Sequence, residues 1–149
     1  MKSVEPNLKL AGFSLWVLGR QFPEANDFWD GNWLNVQARV QAPGASVEAR
    51  GAFIRAPEIA KFVEELEALN SNLVGEAALR CIEPTLRIVI RGDALGHLAA
   101  EVMITPDHMT QSHEFRFDLD QTYLGPLLDG CRHVLSNWPI RSVTSTQGR

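Results

Sequence analysis

A strict alternation of apolar and polar residues runs through much of this sequence and limits the folds open to it. Between Trp33 and Ala42 every even-numbered residue is apolar and residues 35, 37, 39 and 41 are polar. Successive side chains of a strand point to opposite faces, so this period predicts a strand with one buried and one hydrated face. Pro43 and Gly44 follow with turn chemistry, and a second alternating segment comes after them. These two segments therefore predict an antiparallel hairpin.

The same period predicts an antiparallel sheet of about seven strands. The first segment is apolar on both faces, which places it either inside the sheet or under a covering segment. Its apolar phase changes at Ala11 and Gly12, where a bulge would restore the register. Most connections are too short for a parallel crossover, so neighbouring strands are expected to run antiparallel. The predicted strands span residues 8–19, 33–42, 46–54, 76–82, 85–91, 97–105 and 113–119.

Two segments follow the period of amphipathic helices instead. Residues 57–70 and 122–138 each carry one apolar stripe, which predicts that Phe62 and Leu128 are buried. Thr122 is the expected N-cap of the second helix, because Pro126 fits only in a first turn. The element order is then βββαββββα, an α+β fold with the antiparallel sheet packed against two helices.

Length and charge narrow the class of protein further. The 149 residues suit a single domain with its core over about residues 8–140, whereas the polar segment 141–149 is expected to be disordered. No apolar run has the length of a signal peptide or a membrane span, which predicts a cytoplasmic protein without membrane contact. The formal charge of −4 argues against nucleic-acid binding, which calls for a concentrated surface of Lys and Arg.

Signatures of catalysis and of cofactor binding are missing from the sequence, which lacks a glycine-rich phosphate loop, G-x-S-x-G, H-E-x-x-H and C-x-x-C. Asp118 and Asp120 are explained by a strand end and a helix cap, and Cys81 and Cys131 are expected to be buried thiols. One group near two strand ends suggests a metal site, but its spacing matches no ligand pattern: His97, Asp107, His108 and His113. We therefore expect no catalytic, cofactor or metal site, and a protein that is not an enzyme.

The most unusual segment lies between the first two predicted strands, at residues 22–33. It holds two of the four tryptophans, two phenylalanines and three acids, where neither period fits. Such a loop either closes the end of the core as an aromatic lid or forms a recognition surface, since aromatic anchors with polar rims dominate binding hot spots. The two interpretations are compatible, and the second predicts Asp27, Trp29 and Asp30 as partner-binding residues.

Three stretches resemble the WapI-type immunity proteins of bacterial polymorphic toxins: residues 28–34 (FWDGNWL), 104–108 (ITPDH) and 119–124 (LDQTYL). The similarity runs from about Leu8 to Trp138. This resemblance implies a cytosolic antitoxin whose partner is the toxic C-terminal domain of a contact-delivered toxin. An acidic chain would suit a basic toxin, and no active site is needed. Two other classes stay open: a small-molecule or regulatory binding domain with its ligand in the concave face of the sheet, and an enzyme using the histidine region.

Overall fold

Eight antiparallel strands form two four-stranded sheets in residues 4–142, the part of the chain that the computed structural model describes. The first sheet holds β1 (Leu8–Leu10), β2 (Phe13–Arg20), β3 (Trp33–Ala42) and β4 (Ala45–Arg55), in that order. The second holds β5 (Gly75–Arg80), β6 (Leu86–Gly92), β7 (Leu98–Ile104) and β8 (Glu114–Leu119). Helix α1 (Ala56–Asn72) joins the two sheets, and α2 (Leu124–Asn137) follows β8.

The α+β class, the antiparallel pairing and the two helices are confirmed. In the described residues the strands number eight, close to the predicted seven, and they form two sheets rather than one. The alternation of apolar and polar residues predicts which side of a strand is buried, but it does not predict which strands pair. Helix α1 follows β4, and the later strands form a separate sheet that shares one apolar core with the first.

The predicted strand at 8–19 is in fact the hairpin of β1 and β2. Ala11 has a φ of 52° and forms with Gly12 a two-residue turn between Leu10 and Phe13, which pair across it. The change of apolar phase thus marks a turn and not a bulge. The pairing irregularity of β2 lies near Leu18 instead. As predicted for a strand that is apolar on both faces, β2 lies between β1 and β3.

The hairpin of β3 and β4 forms as the alternation predicts. Gly44 has a φ of 79°, the positive angle that the turn after Pro43 requires, and Ala42 pairs with Ala45 across it. The apolar residues of β3 that the alternation places inside are fully buried: Leu34, Val36, Ala38 and Val40.

One apolar core lies between the two sheets and the helices. Strand β7 approaches β3 and β4 of the first sheet, and α2 packs on α1 and β1. Phe62 and Leu128 are buried, which confirms the predicted helix faces. Cys131 is buried as expected, and burial raises the pKa of its thiol to about 12. Cys81 is only partly buried, because it lies just beyond the end of β5.

Helix α1 covers the outer edge of the second sheet. The Glu65 carboxylate accepts the backbone N–H of Ala78 at 2.9 Å, and the Glu58 carboxylate accepts that of Ile82 at 2.9 Å. Glu58 also accepts the N–H of Arg55 at 2.8 Å, although burial raises the pKa of this carboxyl above its ordinary value. The N–H groups of an edge strand are open to pairing with another chain, and here one carboxylate occupies an N–H of β5 and a second occupies an N–H just beyond its end.

Helix α2 begins two residues later than predicted. The Asp120 carboxylate accepts the backbone N–H of Thr122 at 2.9 Å and caps a short 3-10 turn, so Thr122 is not the N-cap. The helix proper begins at Leu124, and Pro126 falls in its first turn. Among the described residues, neither helix is long and apolar enough to cross a membrane.

Candidate functional site

The connection between β2 and β3 is the segment that the sequence singles out, and it ends in a 3-10 turn at Asp30–Asn32. The Asp27 carboxylate accepts the N–H of Asp30 at 3.0 Å, and the Asp27 carbonyl accepts that of Gly31 at 3.1 Å. A Cβ atom on Gly31 would lie 2.7 Å from the carbonyl oxygen of Ala25, so the loop closes tightly here. The Asp30 N–H is the main cause that lowers the pKa of Asp27, whose carboxylate is therefore charged at neutral pH.

A buried arginine lies beneath the aromatic side chains of this loop. Arg55, the last residue of β4, is 4% exposed. Its guanidinium carbon lies 4.8 Å from the ring centre of Phe28, 4.6 Å from that of Trp29 and 5.7 Å from that of Trp33. The guanidinium also donates to the carbonyl of Phe28 at 2.5 Å. The faces of aromatic rings attract a cation electrostatically, so the three rings hold the guanidinium and the loop forms a lid over Arg55.

Asn32 ties the loop to the chain that follows α2. It is fully buried, and its amide donates to the carbonyls of Phe28 at 2.7 Å and Arg141 at 2.9 Å. Its oxygen accepts the N–H of Arg141 at 2.8 Å, and nearby Arg20 donates to the carbonyl of Pro139 at 2.6 Å. Arg141, the first residue of the segment expected to be disordered, is thus hydrogen bonded. Residues 143–149 of that segment lie outside the described residues.

Large apolar side chains stay exposed around this anchored loop. Trp29 is 60% exposed although its ring contacts Arg55. Ile82 is exposed next to the N-terminus of α1, where its N–H meets Glu58. We call the exposed apolar residues at this end of the molecule the aromatic end: Phe22, Phe28, Trp29, Ile82 and Ile140. Exposed apolar patches of this kind mark interaction sites in folded proteins.

The structure therefore brings the three predicted partner-binding residues together on one short loop. It adds Ile82 and Ile140, which sequence reasoning missed because they come from distant parts of the chain. Arg55 was also missed, although a signal for it exists. It falls on the inward phase of its strand, two residues after Phe53, where a charged residue calls for special partners.

The histidine region shows ordinary loop contacts. The Asp93 carboxylate lies 3.5 Å from the His97 ring nitrogen, and the Asp107 carboxylate accepts the N–H of Met109 at 3.1 Å. Within residues 4–142, no group of three or more His, Cys, Asp or Glu side chains is arranged to hold a metal ion. Asp120 caps the short 3-10 turn described above, and not the helix itself.

Loss of the Asn32 side chain should loosen the aromatic end. We expect Asn32→Ala to lower the free energy of unfolding by about 1–3 kcal/mol, because the partly buried N–H and carbonyl of Arg141 lose the fully buried amide that pairs with them. Urea titration followed by circular dichroism measures this change. Gln41→Ala, at an exposed position of β3, should stay within about 0.5 kcal/mol of the parent protein. Equal midpoints for the two variants would show that Asn32 does not anchor the loop.

Comparison with known proteins identifies the family of this chain. The model of the WapI-like immunity protein family matches residues 4–139. A solved structure, described as the CdiA-CT/CdiI toxin and immunity complex from Enterobacter cloacae, is 14% identical with a TM-score of 0.39, over 84% of this chain and 99% of that chain. The comparison with curated proteins found no match. The family match spans both sheets, both helices and the loop at residues 22–33, and the chain belongs to the WapI-like immunity protein family.

Proposed function

We propose that this protein neutralises a bacterial toxin domain by stoichiometric binding, and that the aromatic end with Asp27, Trp29 and Asp30 forms the contact surface. Membership of the immunity protein family supports the class of function. The observation that carries the choice of surface is the 60% exposure of Trp29 on a loop whose base is fixed. Tryptophan is among the residues that contribute most when a partner buries them.

The anchoring of the loop favours tight binding. Arg20, Asn32 and Arg55 donate hydrogen bonds to carbonyl groups of the loop or of the segment beside it. A loop that is already ordered loses little conformational entropy on binding, so more of the contact energy appears as affinity. The aromatic end thus combines large exposed side chains with a rigid base.

The carboxylates of the loop fit a basic partner. Asp30 is exposed, and Asp27 is held in its charged form by the N–H groups around it. Together with the net charge of −4, they place negative potential beside the apolar residues that would enter the interface. Opposite charges steer two proteins toward each other and raise the association rate more than the affinity.

The double variant Asp27→Asn, Asp30→Asn should therefore slow association with the toxin domain several-fold at about 20 mM salt, and by much less at about 500 mM salt. Stopped-flow binding measures both rates. The matched control Glu114→Gln, Asp118→Asn changes the net charge equally but lies on exposed positions of β8. If the control slows association as much as the loop variant, steering comes from net charge and not from this loop.

A growth assay tests the proposed function itself. The tagged protein recovers its partner from the native organism, and the partner is then expressed alone and together with this protein. We expect growth arrest by the partner alone, recovery on co-expression, and full inhibition of the purified partner at an equimolar ratio. Undiminished arrest on co-expression, or inhibition at far below equimolar amounts, would contradict stoichiometric neutralisation.

A further inference from the structure

The outward faces of the two sheets differ in how many of their charged side chains form ion pairs. On the second sheet, Arg91 meets Glu76 at 2.9 Å and Glu101 at 3.1 Å, and Glu101 also meets Arg116 at 3.0 Å. These ion pairs run across all four strands and lie above Val89, which is buried. Most charged side chains on this face therefore have an oppositely charged partner within the protein.

The first sheet presents cations in two cross-strand rows. Strand pairing aligns Lys9 with Ser14, Ser14 with Arg39 and Arg39 with Glu48 in one row. The next row aligns Trp16 with Gln37 and Gln37 with Arg50. The three cations are Lys9, Arg39 and Arg50. Because neighbouring strands lie about 4.8 Å apart, these cations surround the polar and indole side chains that lie between them in the two rows.

Within the part of the chain that the structure describes, Lys9, Arg39 and Arg50 have no acid partner. Among residues 4–142, no carboxylate lies within salt-bridge distance of Lys9, Arg39 or Arg50. The guanidinium carbon of Arg39 lies 5.0 Å from the ring centre of Trp16, over the indole ring. The indole N–H of Trp16 donates a hydrogen bond to the carbonyl of Val4 at 2.9 Å. Stacking on an indole leaves the edge of the guanidinium, with its donors, free for a planar anion.

The same residues line a groove on the first sheet. The groove has a volume of about 880 Å³ and runs beside the N-terminal segment 4–6. We call it the basic groove; the residues lining it that matter here are Lys9, Ser14, Trp16, Gln37, Arg39 and Arg50.

We propose that the basic groove binds an acidic peptide segment of a protein partner. Carboxylates match the fork of an arginine side chain in pairs of parallel hydrogen bonds, and two arginines on adjacent strands suit carboxylates along one extended segment. Gln37, between the cations, supplies an amide for its backbone, while Ser14 lines the groove and is 6% exposed. Nucleic acid is the poorer occupant, because Glu5 and Glu48 lie beside the three cations and a polyphosphate needs a denser basic surface. The inference does not depend on the aromatic end.

Fluorescence anisotropy with a labelled hexaglutamate peptide tests this proposal at about 20 mM salt, where screening is weak. We expect binding to the parent protein and a loss of about tenfold or more in affinity for Arg39→Gln, Arg50→Gln. The matched control Arg80→Gln, Arg116→Gln removes the same charge from the second sheet and should change the affinity by less than about twofold. Equal losses in both variants would overturn the proposal, because binding would then follow net charge alone.

Two further measurements, of amide chemical shifts and of oligonucleotide binding, test the location and the specificity of the site. Amide chemical shifts of the unmutated protein should move at Ser14, Gln37 and Arg39 on addition of the peptide, which requires no variant to fold. Shifts confined to other residues would overturn the proposal. A thymidine oligonucleotide of equal charge should bind more weakly than hexaglutamate, and tighter binding of the oligonucleotide at these amides would instead assign the basic groove to nucleic acid.

Discussion

Phe62→Ala is expected to lower the free energy of unfolding by about 3–5 kcal/mol, the usual cost of truncating a buried phenylalanine. Phe62 is fully buried on the face of α1 that meets the common core. Its loss removes apolar contact and leaves a cavity that a closely packed interior fills only in part. Urea titration with an unchanged slope would report this loss as a lower midpoint.

Glu64→Ala is the matched control on the same helix. Glu64 is exposed and lies 3.8 Å from Lys61, a surface pair of the kind that adds little stability. We expect a change within about 0.5 kcal/mol. Similar midpoint shifts for Phe62→Ala and Glu64→Ala would mean that the assigned faces of α1 are wrong.

Trp29→Ala is expected to weaken the complex with the toxin domain by at least about 2 kcal/mol, which is roughly a 30-fold rise in Kd. The physical reason is the loss of a large, rigid anchor that a partner pocket would bury. Isothermal titration measures the affinity, and thermal unfolding shows whether the variant stays folded. Since the ring also contacts Arg55, a small loss of stability is expected as well.

Leu95→Ala provides the comparison for that result. Leu95 is 80% exposed in the turn between β6 and β7, away from the loop, and its truncation should leave the affinity within about 0.5 kcal/mol. If Trp29→Ala unfolds the protein, or binds as tightly as Leu95→Ala, the loop serves only as a lid. The basic groove and the polar strand face with Asn35, Gln37 and Arg39 would then be the next surfaces to test.

The faces of single elements could be predicted from the sequence, because burial imposes its period directly on the residues. The inward residues of β3, from Leu34 to Val40, and the buried side of α1 at Phe62 follow from this. The choice of pairing partner for each strand, in contrast, imposes no repeat on the sequence. For that reason the sequence does not distinguish one sheet from two, and the phase change at Ala11 predicts a bulge where the structure has a turn.

The candidate site was predictable only in its local part. The concentration of aromatic and acidic residues at 22–33 stands out in the sequence and identifies Trp29 and its neighbours. Arg55 lies 26 residues after Trp29 in the sequence, yet its guanidinium is 4.6 Å from the indole ring. Ile82 joins the same end through its N–H, which the Glu58 carboxylate accepts. Ile140 joins it through its chain neighbours, since Pro139 accepts a hydrogen bond from Arg20 and Arg141 donates one to Asn32. Such contacts arise from the tertiary fold, which no single segment encodes.

Hydrogen–deuterium exchange of the complex with the toxin domain tests most directly whether this protein binds through its aromatic end. Exchange of the free protein and of the complex would be compared peptide by peptide under identical conditions. We predict slower exchange in the complex for peptides covering residues 22–33 and 81–83, because a bound partner shields their backbone amides. Unchanged exchange in both segments, with slowing confined to other parts of the chain, would contradict binding at the aromatic end.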